Sequence, residues 1–269
     1  MNARLHYAVE GPAGAPVVVL GSSIGTTAAM WQPQIPLLTR HFRVLRFDHR
    51  GHGQSWPGNG PRLPSASDPA SRPWSIADLG GDVVGLLDDL GFAKVSYVGI
   101  SLGGMVGMWL AAHRPERIDK LVVVCTSAHL DAREYWLARA ATVRSGGMVA
   151  IADPVVEKWF TPEFALRRPA VVTAFKQMLA ATPVEGYARS CEALATMDLR
   201  PDLASIGAPT VVVAGADDLA IPAVHGQRVA AAVPGARFVV VHDAAHLASV
   251  EQPEQIAEII AEHVGDEER

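Results

Sequence analysis

Gly99-Ile100-Ser101-Leu102-Gly103 is a G-x-S-x-G pentapeptide lying between a strand-like and a helix-like segment. Before it, Lys94-Val95-Ser96-Tyr97-Val98 is short and β-branched. After it, Gly104 to His113 (GMVGMWLAAH) is an apolar stretch suited to a buried helix. A serine so placed sits on a tight strand-to-helix turn with its hydroxyl exposed and a helix N-terminus behind it. The flanking glycines answer to crowding, because a β-carbon at either position would meet neighbouring backbone. Taken alone the pentapeptide is a short motif; the strand before it and the helix after it make Ser101 a candidate nucleophile.

Working outward, strand-like runs alternate with helical patterns. The runs are Pro16 to Leu20 (PVVVL), Phe42 to Phe47, Val95 to Ile100, Leu121 to Cys125 (LVVVC), Thr210 to Ala214 (TVVVA) and Arg237 to Val241 (RFVVV). Strands apolar on both faces belong in a parallel sheet covered by helices on each side. Helical patterns include Ser75 to Leu90, which opens like a capping box and ends at Gly91, then Leu102 to His113 and Pro253 to Val264. The expectation is an α/β fold, a doubly wound and mostly parallel sheet.

Two segments interrupt that rhythm. Residues 57–73, rich in Pro, Ser, Gly and Asp, read as an exposed loop. Asp131 to Met197 has no convincing strand and reads as short helices punctuated by Pro154, Pro162, Pro169 and Pro183. The expected organisation is a core domain of residues 1–130 and 198–269 with a helical lid of residues 131–197. A lid matters because its closure excludes water and completes a substrate pocket.

Composition narrows the class. With 269 residues, 49% of them hydrophobic, the chain can bury one large core. A net charge of −5 without a Lys- or Arg-rich block argues against nucleic acid or an anionic membrane as partner. The apolar runs are too short to span a bilayer, and Met1 to His6 lacks the apolar core of a secretory signal. Cys125 and Cys191, outside any C-x-x-C or Cys/His cluster, read as reduced thiols in a cytoplasmic protein and suggest no metal site.

A serine hydroxyl needs a base within reach, and the base needs an orienting carboxylate. On a strand-to-helix elbow the partners follow in the order Ser, acid, His. After the strand at 210–214 comes Gly215-Ala216-Asp217-Asp218; after the strand at 237–241 comes His242-Asp243-Ala244-Ala245-His246. Asp218 is favoured over Asp217, which directly follows the turn, and His246 over His242, which ends the strand. His225 and His263 read as solvated helix residues. His49 and His52, in Arg50-Gly51-His52-Gly53-Gln54-Ser55 and its approach, read as a fold-stabilising turn. A tetrahedral intermediate needs two backbone donors. Leu102 is one, and Ile24 or Ser23, in the small-residue turn Gly21 to Thr26, is the other.

These residues together resemble the α/β-hydrolase superfamily over essentially the whole chain, and more narrowly the 3-oxoadipate enol-lactonases. The narrower resemblance rests on Gly21-Ser22-Ser23-Ile24-Gly25-Thr26-Thr27 with Met30-Trp31, and on Phe47-Asp48-His49-Arg50-Gly51-His52-Gly53. It rests also on Ser101-Leu102-Gly103-Gly104-Met105, on His246-Leu247-Ala248-Ser249-Val250-Glu251-Gln252-Pro253, and on a similar lid from Trp136 to Phe164. Most relatives carry His-Gly where this chain has Ser22-Ser23. The family spacing places the acid at Asp218. The resemblance implies hydrolysis of a small anionic lactone through an acyl-enzyme, within aromatic catabolism, with no metal or cofactor required. The lactone's carboxylate needs a cation, since burying an unpaired charge is costly. Arg139 and Arg144 are the lid candidates, with Trp136 and Trp159 to wall the ring; the alternative is solvated arginines and tryptophans that are lid core. The same triad also serves carboxylesterases, C–C hydrolases and cofactor-free perhydrolases, so a cation in the pocket is the discriminating feature.

Overall fold

In a computed structural model of the protein, residues 4–55 and 73–265 are described. The loop expected at 57–73 falls outside the described residues save for Pro73. Seven strands form one sheet: β1 (Tyr7–Glu10), β2 (Val17–Gly21), β3 (Arg43–Phe47), β4 (Val95–Ile100), β5 (Ile118–Val124), β6 (Thr210–Gly215) and β7 (Arg237–Val241). The spatial order is β1-β3-β2-β4-β5-β6-β7. All neighbours are parallel except β1, which runs antiparallel to β3 with Tyr7 opposite Phe47. β1 is the strand that sequence reading misses. It is a half-exposed edge without apolar alternation, held by backbone pairing and by Glu10, whose carboxylate meets Arg46 Nε at 2.9 Å.

The helices are α1 (Ile35–Leu38), α2 (Ile76–Asp89), α3 (Leu102–His113), α4 (Arg133–Gly146), α5 (Val149–Val156), α6 (Pro162–Arg167), α7 (Pro169–Ala180), α8 (Val184–Thr196), α9 (Ala223–Ala232), α10 (Ala248–Glu251) and α11 (Pro253–Gly265). Ser75 caps α2 as expected: its hydroxyl accepts the Asp78 N–H at 3.2 Å, and Asp78 accepts the Ser75 N–H at 2.9 Å. None of the described helices is long and apolar enough to cross a membrane.

The strands meet the demand that their valines make. Every residue of β4 and β6 is buried, because helices cover both faces. α3 is apolar nearly all round and buries most of its length against β4 and β5, the position such a helix must occupy. Residues 131–197 hold α4 to α8 and leave the sheet between β5 and β6. The insertion departs and returns at one neck, closed by a bridge between His129 and Asp198 and by the Leu199 N–H donating to the Ala128 carbonyl at 2.8 Å. Within the insertion α4 lies along α8.

Candidate active site

The elbow is built by backbone strain and by the lack of β-carbons. Ser101, at the end of β4 and the cap of α3, has φ 53°, a left-handed value that a serine adopts only under constraint. Its N–H donates to the Val124 carbonyl at 2.9 Å and its own carbonyl accepts from Met105, so the turn is held on both sides. A β-carbon on Gly99 would overlap the Gly103 carbonyl, and one on Gly103 would overlap the Gly21 carbonyl. The two flanking glycines are therefore required by close approach between segments.

The tips of β6 and β7 bring an acid and an imidazole together. Asp218 is buried; its Oδ2 accepts from His246 Nδ1 at 2.9 Å while Oδ1 accepts the N–H groups of Ala220 and Ile221 at 2.8 and 2.9 Å. Three donors fix that carboxylate, and its bond to Nδ1 sets the tautomer in which Nε2 is the basic nitrogen. Asp217 is exposed and makes no hydrogen bond to His246, and His242 is exposed at the strand end. The other two histidines differ from the solvated reading: His225 Nδ1 lies 2.9 Å from Ser127 Oγ and His263 Nε2 lies 3.0 Å from the Pro209 carbonyl.

Ser101 and His246 line one cavity of ≈ 140 Å³, together with Ile24, Trp136, Arg139 and Trp159. That is close to the roughly 150 Å³ of an apolar cavity that admits benzene. The space suits one small ring rather than a long acyl chain.

At the oxyanion side, the backbone N–H groups of Ile24 and Leu102 make no hydrogen bond to any described residue. Ser23 is different: its N–H already faces Met30 Sδ at 3.4 Å, so of the two it is the Ile24 N–H that has no partner among the described residues. The Ser22–Thr26 turn is held from below. His49 Nε2 donates to the Ser22 carbonyl at 3.0 Å, the Gly25 N–H donates to His52 Nε2 at 3.0 Å, and Asp48 accepts the Ala28 N–H at 2.8 Å. Burial pushes the His49 imidazole down to about 3, helped by its neighbour His52, whose own pKa burial also lowers. Both are neutral braces, as the turn reading expected.

The two lid arginines part company. Arg139 lies among aromatic rings, its guanidinium carbon 5.8, 5.2 and 5.5 Å from the ring centres of Tyr135, Trp136 and Tyr187. One nitrogen donates to Tyr135 Oη at 3.0 Å, but the buried Nε has no partner and no carboxylate pairs with the group among the described residues. Arg144 corrects the sequence expectation. It turns to α8, pairing with Glu185 at 2.9 Å and Glu192 at 2.5 Å, and takes no part in lining the cavity. Burial works to raise the Glu185 carboxyl, yet the Arg144 and Arg189 guanidinium groups hold it below its ordinary value. Lys158, which sequence reading did not single out as a cation for the substrate, also lines the cavity, exposed and without an ion-pair partner among the described residues. Tyr135 was missed as well. Only its place one helical turn before Arg139 hinted at it.

A strained serine at the elbow of a mostly parallel sheet, with an Asp–His pair beyond the tips of β6 and β7, defines a class, and a sequence profile of the alpha/beta hydrolase fold matches residues 16–253. The chain belongs to the α/β-hydrolase family. It is 38% identical over 253 residues to 3-oxoadipate enol-lactonase 2 of Acinetobacter baylyi, covering 94% of this chain and 90% of that one. The crystal structure of the enol-lactonase from Burkholderia xenovorans superposes with a TM-score of 0.89 at 37% identity, covering 97% and 96% of the two chains. A RutD protein of Stutzerimonas stutzeri, provisionally named a carbamate hydrolase, is 28% identical over 98% of this chain and 97% of its own.

Proposed function

We propose that the protein is a serine hydrolase that opens the ring of 3-oxoadipate enol-lactone or a close analogue. The observation that carries this reading is Arg139, a cation without a carboxylate partner among the described residues, in the same small cavity as Ser101 and His246. An enol-lactone presents both a ring ester and a carboxylate arm. Arg139 holds the arm, Trp136 and Trp159 flank the ring, and the ester carbonyl meets Ser101.

In the mechanism, Ser101 Oγ attacks the carbonyl carbon as His246 Nε2 takes its proton. Asp218 keeps the imidazole oriented and stabilises the imidazolium. The N–H groups of Leu102 and Ile24 stabilise the oxyanion. Collapse breaks the ring C–O bond and expels an enolate, which recovers a proton and ketonises. Water, deprotonated by His246, then cleaves the acyl-enzyme, releasing the dicarboxylate and restoring Ser101. The helical insertion serves as the lid over this pocket.

Similarity to RutD favours a second reading, hydrolysis of a small carbamate. One assay separates the two readings: ultraviolet loss of enol-lactone absorbance with purified protein, beside a carbamate and neutral esters. Lactone turnover that exceeds the neutral esters and vanishes in Ser101→Ala supports the first reading. Turnover of the carbamate alone overturns it.

A further inference from the structure

We infer that Glu251 is a positioning residue that ties the His246 loop to the cavity wall, so that base and wall are held as one body. The residues on both sides of His246 are bound to the segment 159–161. The Ala245 N–H donates to Glu251 Oε2 at 2.6 Å, and Glu251 Oε1 accepts the N–H and the hydroxyl of Thr161, each at 2.8 Å. On the other side the Leu247 N–H donates to the Trp159 carbonyl at 3.0 Å. Trp159 and His246 line the same cavity, so this tie joins the imidazole to the wall it must work beside.

The chemistry of the tie calls for a carboxylate. Donors converge from two directions with Glu251 between them, and only an ionised acid offers acceptors alone on both oxygens. Glutamine would turn an NH₂ against one set of donors and leave a buried N–H unsatisfied. Glu251 is 8% exposed, and burial pushes its carboxyl up even against the hydrogen bonds from Ala245 and Thr161. Its position at the end of α10 places it five residues beyond His246, within reach of the Ala245 N–H.

This inference rests on His246 being the base of the proposed reaction. The test uses full-length protein with Glu251→Gln, Thr161→Val and Thr161→Ser, assayed against the lactone and a neutral ester across pH. Proton NMR would follow the low-field Nδ1 proton shared by His246 and Asp218. Glu251→Gln is expected to lower kcat on both substrates by up to the order of 100-fold, as misplacement of a catalytic group by about 1 Å does, with little change in KM. The low-field proton should broaden or shift. The acid limb of kcat/KM should move to lower pH, because a looser Asp218 contact stabilises the imidazolium less. Thr161→Val keeps the Ala245 arm, so it should raise KM more than it lowers kcat, and Thr161→Ser should restore KM. Wild-type kcat, acid limb and NMR signal in Glu251→Gln would overturn the inference, even if the variant melts earlier. Should that variant fail to fold, equal KM in Thr161→Val and Thr161→Ser would overturn it. Full activity in His246→Ala would instead sink the underlying reaction.

Discussion

Arg139→Met is the perturbation that bears most directly on substrate. Methionine keeps an apolar stem among Tyr135, Trp136 and Tyr187 and removes only the charge and its donors. Among the described residues Nε is buried without a partner and no carboxylate offsets the cation. A carboxylate placed there gains a charge-assisted contact in a partly desolvated site. Truncating one partner of such a pair costs about 2–5 kcal/mol, roughly 30- to 4,000-fold in kcat/KM at about 1.4 kcal/mol per decade. The lower end is expected, since Arg139 is only partly buried and water screens the remainder. The assay compares the enol-lactone with p-nitrophenyl acetate, which carries no arm, so the loss should appear on the lactone alone and mainly in KM. Equal losses on both substrates would mean that Arg139 only packs the insertion, refuting the recognition argument. Loss confined to the lactone in Lys158→Met, with none in Arg139→Met, would move the cation to Lys158.

Other outcomes follow from the same geometry. Ser101→Ala and His246→Ala should each reduce kcat by several orders of magnitude because the three groups act as a unit, while His242→Ala, exposed at the strand end, should cost little. Asp218→Asn should cripple turnover and Asp217→Asn should not, since only Asp218 meets His246; the reverse result would reassign the acid. Burial holds His49 down to about 3 in the fold, against an ordinary imidazole value of 6.5. The unfolded chain therefore binds a proton that the folded one refuses, so stability is full above 6.5 and falls as pH drops from there toward 3. Urea titrations at pH 7.5 and 5 should show about 2 kcal/mol lost through this group, at about 1.4 kcal/mol per pH unit. That share should be absent in His49→Gln, while the loss through His52 and the opposite effect of Glu251, whose carboxyl is raised, are present in both proteins and cancel in the comparison.

Much of this molecule is local, and local features are legible. The valine-rich strands are set by burial on both faces, the start of α2 by Ser75 and Asp78, and the elbow by glycines where no β-carbon fits. The chain order of Ser101, Asp218 and His246 could be read because each sits at the end of its own strand or just beyond it. β1 could not be read, because an edge strand draws its stability from its partner β3 rather than from its own pattern.

The sequence by itself determined the layered sheet, the strained serine and the histidine and acid candidates, since these follow from periodicity, turn chemistry and spacing along a short stretch of chain. Tertiary structure decided which of the two lid arginines meets the cavity. Arg139 and Arg144 stand five positions apart on α4, which at about 100° per residue points them about 140° apart. One therefore faces the cavity when the other faces Glu185 and Glu192 of α8, and only the rotation of α4 against α8 chooses between them. It also set Met30 Sδ against the Ser23 N–H, a contact that leaves the neighbouring Ile24 N–H as the donor proposed above. It likewise brought Thr161 to Glu251 across ninety positions of chain, a contact fixed by how the insertion packs back on the core and written in no local pattern.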